Sequence, residues 1–149
     1  MRPVINRILV AVALAVLAGA AHAQVEVKDA WIRGMVAPQD TTGAFMQITS
    51  KTAARLVGVE TPAAGMASIH QSKMEGDVMR MRHVEAIDLP PGKPVDLKPG
   101  GYHVMLMHVA HPLREGESVP LTLIVETAGG KRESVTVDVP VRSLTTPSR

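Results

Sequence analysis

Soft and borderline metal donors crowd one stretch of this chain. Five of its six His lie between His70 and His111, and five of its nine Met lie between Met74 and Met107. Imidazole binds many transition metals, whereas thioether sulfur selects soft ions. The segment Ile69–Val84 reads IHQSKMEGDVMRMRHV, with a turn signal at Glu75-Gly76. Two strands folding back there pair residues whose numbers sum to 151, which predicts His70 opposite Met81 and Ser72 opposite Met79. Opposed residues have Cβ atoms about 4.5–5.5 Å apart, near enough for an imidazole and a thioether to share one ion. The segment Gly100–Val109 reads GGYHVMLMHV. Strand alternation puts His103, Met105 and Met107 on one face and Tyr102, Val104 and Leu106 on the other, the second set being core in character.

Together the two segments offer two imidazoles and two thioethers, His70, Met81, His103 and Met105. All four are neutral. The absence of carboxylates disfavours Ca and Mg, and the thioethers favour Cu(I) over Zn(II). The chain has no Cys. That excludes thiolate zinc sites, iron–sulfur clusters, blue-copper electron transfer and cysteine catalysis. Neutral, exchangeable donors suit a protein that hands a metal on. A simpler reading stands beside this one, because Met in a strand commonly fills core gaps. Met35, Met46, Met66 and Met79 read singly as core or incidental surface, His83, His108 and His111 as surface or structural histidines, and Trp31 as a core anchor. Glu75, Asp77 and Glu85 lie near His70 and His83 in sequence, but no nucleophile elbow, phosphate loop or paired-carboxylate signature accompanies them, which argues against an enzyme.

The elements that must position these donors are strands. Val25–Ile32, Gly43–Thr49, Leu56–Thr61, Ala67–Lys73, Val78–Val84, Tyr102–Val109, Leu121–Glu126 and Ser134–Val141 are rich in Val, Ile and Thr, and Pro, Gly and Asp clusters separate them. No segment outside residues 1–23 sustains helical periodicity for three turns, so an antiparallel sandwich or barrel is expected. At 149 residues the chain fits one domain. Residues 1–23 read as a cleaved signal peptide, with Arg2 and Arg7 before an apolar run and Ala21-His22-Ala23 as the cleavage pattern. The run is too short for a membrane span, and without Cys no lipoprotein-type anchor is expected. Residues 24–149 then form a single exported domain, with a short polar tail from about Arg142 expected to fray. Losing Arg2 and Arg7 reduces 16 basic residues to 14, equal to the 14 acidic ones. The mature chain thus lacks the basic excess that nucleic-acid binding requires.

The spacing His70, ten residues, Met81, twenty-one residues, His103, one residue, Met105 resembles the H-x10-M-x21-H-x-M signature of the PCuAC family of periplasmic copper chaperones. Asp29–Arg33 (DAWIR), Thr42–Ser50 (TGAFMQITS), Leu97–Met107 (LKPGGYHVMLM) and Val119–Leu123 (VPLTL) are similar to that family as well. The resemblance implies an all-β, cupredoxin-like Greek-key β-sandwich. It implies one Cu(I) per chain, held by His70, Met81, His103 and Met105, and delivery of copper with a Sco-type protein towards the CuA subunit of cytochrome c oxidase. The tail Arg142–Arg149 lacks the His and Met that give some members a second site. A periplasmic, monomeric, non-enzymatic chaperone is the expectation. The alternatives are a His-based Zn or Cu(II) buffering or copper-tolerance protein, which would draw on His83, His108 and His111, and a structural β-sandwich whose Met merely pack.

Overall fold

A computed structural model of the protein describes residues 24–143. The predicted signal peptide, residues 1–23, and the tail residues 144–149 lie outside the described residues. The described chain is built from ten strands without a helix: β1 (Val25–Arg33), β2 (Thr42–Ser50), β3 (Ala54–Glu60), β4 (Ala64–Glu75), β5 (Val78–His83), β6 (Ile87–Leu89), β7 (Val95–Leu97), β8 (Tyr102–Val109), β9 (Ser118–Thr127) and β10 (Arg132–Arg142). Eight correspond to the predicted strands. β6 and β7 were not expected, because three residues between Pro-rich turns carry no readable alternation.

Hydrogen bonds link the strands in the order β5-β4-β8-β7-β2-β1-β10-β9-β3-β6. β1 and β10 meet in parallel through two residue pairs only, Ile32 with Val141 and Arg33 with Arg142. At this narrow seam the sheet turns over into two layers, giving the expected cupredoxin-like sandwich. The core lies between the layers. On one side it holds Ile32, Ile48, Val104 and Leu106, on the other Leu56, Leu121, Leu123, Val125 and Val139. Alternation produces this directly in β9, where Val119, Leu121, Leu123 and Val125 are buried. Met35 and Met46 also join the core.

Two bulges re-aim side chains that strict alternation would misplace. In β3 the register shifts between Leu56 and Gly58, so Leu56 and Val59, three apart, both face inward. In β1 the shift falls between Lys28 and Trp31, with Asp29 at φ 53°. Trp31 is thereby set opposite Phe45 on the outer face. Contrary to expectation Trp31 is not a core anchor: it is half-buried, stacked on Phe45 at 4.6 Å between ring centroids and covered by the Arg142 guanidinium at 5.7 Å. Arg142 therefore belongs to β10 and to this stack, not to a fraying tail.

Candidate metal centre

The predicted donors fall on β4, β5 and β8, three neighbouring strands at one end of the sheet. β4 and β5 form a tight hairpin closed by Gly76-Asp77, with Glu75 paired to Val78 and Gly76 at φ 65°, a positive value that glycine adopts without strain. The register differs from the predicted one. His70 stands opposite His83, and Met81 stands opposite Ser72. The expected turn at Glu75-Gly76 is displaced by one residue, which moves every pair sum by two. Since side chains alternate with period two, an even slip changes partners and preserves faces. Met81 therefore still shares a face with His70, as its diagonal neighbour.

The same face continues onto β8. His70 pairs with His103, Ser68 with Met105, and Met66 with Met107. The opposite face of β8 is core, with Val104 and Leu106 fully buried, as alternation predicts. On β5, Arg80 and Arg82 turn to the other side and reach Glu75 at 2.8 Å each. The donor face is left free of charged partners from the hairpin.

His103 is held by its backbone. The Gly101 carbonyl accepts from the Ser72 N–H at 2.9 Å and from His103 Nδ1–H at 3.2 Å. A carbonyl can only accept, so Nδ1 carries the proton and Nε2 presents a bare lone pair. That Nε2 is buried and has no hydrogen-bond partner among the described residues. His70 repeats the pattern with its ring reversed. Its Nε2 lies 2.8 Å from Ser68 Oγ, and its buried Nδ1 has no partner. A buried polar atom left unpaired costs about 1–3 kcal/mol. Two such atoms on rings 5.9 Å apart are a costly pair of defects unless something binds them. Burial, and then the neighbouring His103 and His83, hold the His70 imidazole below its ordinary titration range. The neutral, metal-binding form of His70 is thus favoured.

A cleft of about 400 Å3 opens against this face, lined among others by Met81, His103, Met105, Met79, Ser72 and Phe45. The structure thus gathers three of the four predicted residues around one cleft and places His70 directly against His103. The far wall comes from β2. Gly43 lies opposite Met105, and a Cβ there would meet Cζ of Phe45 at 3.0 Å. Glycine lets the Phe45 ring lie over the strand, where it packs 6.2 Å from His103 and beneath the Arg33 guanidinium at 5.4 Å. No carboxylate lines the cleft. Among the described residues no three His, Cys, Asp or Glu group closely enough to hold a metal ion.

His83 is the neighbour that strand alternation alone did not single out. The corrected register puts its ring 5.8 Å from His70, edge-on, on the side away from His103. Only the hairpin register could have found it. His108 and His111 are exposed and make no ring contact with the donor set. Of the histidines on which the alternative draws, His83 lies beside His70, and His108 and His111 do not.

Comparison with known proteins gives a family and a fold. Residues 25–141 match the family described as Putative lipoprotein LpqE-like. A relative from Leifsonia xyli subsp. xyli, Putative lipoprotein Lxx21020, is 30% identical over 102 residues, 66% of this chain and 60% of the relative. The chain thus spans less than two thirds of that relative's length. The copper-bound PCuAC domain from PmoF2 superposes with TM-score 0.66 at 24% identity, over 80% of this chain and 93% of that one. The solution structure of apo-DR1885 from Deinococcus radiodurans gives TM-score 0.59 at 30% identity, over 80% of this chain and 79% of that one. Its CuI form gives TM-score 0.54 at 27% identity, over 79% and 76%. The protein has the fold of PCuAC domains, and it belongs to the LpqE-like family.

Proposed function

We propose that this protein is a periplasmic metallochaperone that carries one Cu(I) per chain on His70, Met81, His103 and Met105. The observation that carries the reading is the pair of unpartnered, buried imidazole nitrogens, His70 Nδ1 and His103 Nε2, beside a carboxylate-free cleft lined by Met81 and Met105. Two neutral imidazoles and two thioethers leave a monovalent ion's charge uncompensated, which suits Cu(I) and penalises divalent ions. The copper-bound form of PmoF2 and the CuI form of DR1885 support copper as the cargo. Export rests on the leader-like residues 1–23, and the lipoprotein-like family supports it.

A chaperone must release what it binds. Half the donor set is mobile thioether: Met81 is 51% exposed, on the edge strand β5, whereas His103 is 5% exposed and pinned to Gly101. Release would begin at Met81, where an acceptor's donor can replace sulfur without disturbing the core. Delivery with a Sco-type partner towards the CuA centre of cytochrome c oxidase is the destination we assign. The role assigned is that of a carrier and not of an enzyme. Transfer from the Cu(I)-loaded protein to a purified CuA domain, with and without a Sco partner, tests the assignment. CuA absorbance should develop only with the loaded chaperone, and a copper-free acceptor at the end would refute the destination.

A further inference from the structure

The methionines of this chain fall into two populations. Met35 and Met46 are core filler, 5% and 3% exposed. Met74 and Met79 are 55% and 52% exposed. They stand directly opposite each other in the β4–β5 hairpin, two pairs beyond Ser72 and Met81 and so on the same face. Directly opposed residues have Cβ atoms about 4.5–5.5 Å apart, and side chains two apart on one strand share a face. The sulfurs of Met74, Met79 and Met81 can therefore converge on one point. Exposure at this level leaves packing with little to explain. The charged residues of the hairpin strands, Lys73, Glu75, Arg80 and Arg82, belong to the opposite face, so none of them competes at that point, and Arg33, which also lines the cleft, lies over the Phe45 ring. Met79 also lines the cleft that reaches Met81, His103 and Met105.

We infer that Met74, Met79 and Met81 form a second, outer site for a soft monovalent ion, a thioether-only landing position for Cu(I). Three neutral thioethers select Cu(I) or Ag(I) and offer little to Cu(II) or Zn(II). The site is weaker than the inner one because it lacks imidazole, and it lies on an edge strand open to solvent. Met81 belongs to both sets. An ion arriving at Met74 and Met79 moves inward by exchanging one thioether at a time for His70, His103 and Met105, and leaves by the reverse. No electron or proton is transferred. The inference rests on the inner site proposed above.

Titration of the full chain with Ag(I), followed by the 13C-methyl resonances of its methionines, tests it. The first equivalent should move Met81 and Met105, and a second, weaker one should move Met74 and Met79. The double variant Met74→Leu, Met79→Leu keeps the surface apolar and removes only sulfur. It should lose the second equivalent, retain the first, and accept Cu(I) from a chelator more slowly. A second equivalent that persists in the variant, or that moves Met66 and Met107 instead, overturns the outer site and leaves the inner one standing. A first equivalent that never reaches Met81 and Met105 contradicts the inner site.

Discussion

The two ends of the sheet are built from the same alternation and put to opposite uses. At the β9–β10–β3 end, buried positions are Leu, Val and Ala, inward side chains pack on apolar neighbours, and the charged residues stay outside. At the β5–β4–β8 end the outward face carries no charged residue of the β4–β5 hairpin strands and runs from exposed Met81 to buried His103. It carries His and Met in register across three strands, with Ser68 and Ser72 between them and two imidazole nitrogens left without partners. The first region gains stability by removing apolar surface from water. The second retains polar defects that only a ligand repairs. Stability and metal binding should therefore be separable by mutation.

The largest separation is expected for Leu123→Ala in β9. Leu123 is fully buried, and truncation should cost about 2–5 kcal/mol, read as a lowered denaturation midpoint. The folded fraction should bind Cu(I) with unchanged affinity. In the opposite direction, His103→Leu should abolish tight Cu(I) binding. It should leave apo stability within about 1 kcal/mol of wild type, because the lost bond to Gly101 is offset by removal of the orphan Nε2. An apo protein that unfolds on this change would show His103 to be structural after all.

A smaller effect is expected at the cleft wall. Gly43→Ala places a methyl 3.0 Å from the Phe45 ring, which must shift towards His103 or away from it. Cu(I) affinity should fall by less than in His103→Leu, with a change in Trp31 fluorescence as the Phe45–Trp31 stack adjusts.

The smallest effect concerns pH. His70 titrates below its ordinary value near 6.5, chiefly through burial and then through His103 and His83. In the window between that depressed value and 6.5 the unfolded chain binds more protons than the folded one. Apo stability should be fully present above about pH 6.5 and decline as pH falls through the window. His70→Gln should flatten that decline, and His83→Ala should make it slightly shallower, with higher stability at acid pH, by relieving one repulsion at His70. Denaturant midpoints measured from pH 7.5 to 5 check both; a slope unchanged in His70→Gln would remove His70 as its source.

How much of this was legible in the sequence follows from the physics of strands. Period-two alternation in Tyr102–Val109 specifies the inward Val104 and Leu106 and the outward His103 and Met105 without reference to any partner. The pairing of His70 is different, because register depends on which two residues make the turn. Gly76-Asp77 makes it, and the partner of His70 becomes His83. The donor face survived because the resulting slip was even. Trp31 departs from the expected core position for a related reason: a bulge at Asp29 reverses the parity of everything after it, and nothing in DAWIR reveals the inserted residue. The unpartnered nitrogens of His70 and His103 are tertiary facts, set by Ser68 and by the carbonyl of Gly101, which alternation cannot supply.

The central claim is that the outward face of β4, β5 and β8 binds Cu(I) through imidazole and thioether together. Anaerobic competition with a Cu(I) chelator, comparing wild type with Met81→Leu, Met105→Leu, tests it most directly. Both changes are volume-conserving, so the apo fold should be retained, with less than about 1.5 kcal/mol lost. The expected result is one tightly held Cu(I) in the wild type and affinity weakened by at least an order of magnitude in the double variant, a loss of about 1.4 kcal/mol or more. Unchanged Cu(I) affinity in a folded double variant would contradict the claim.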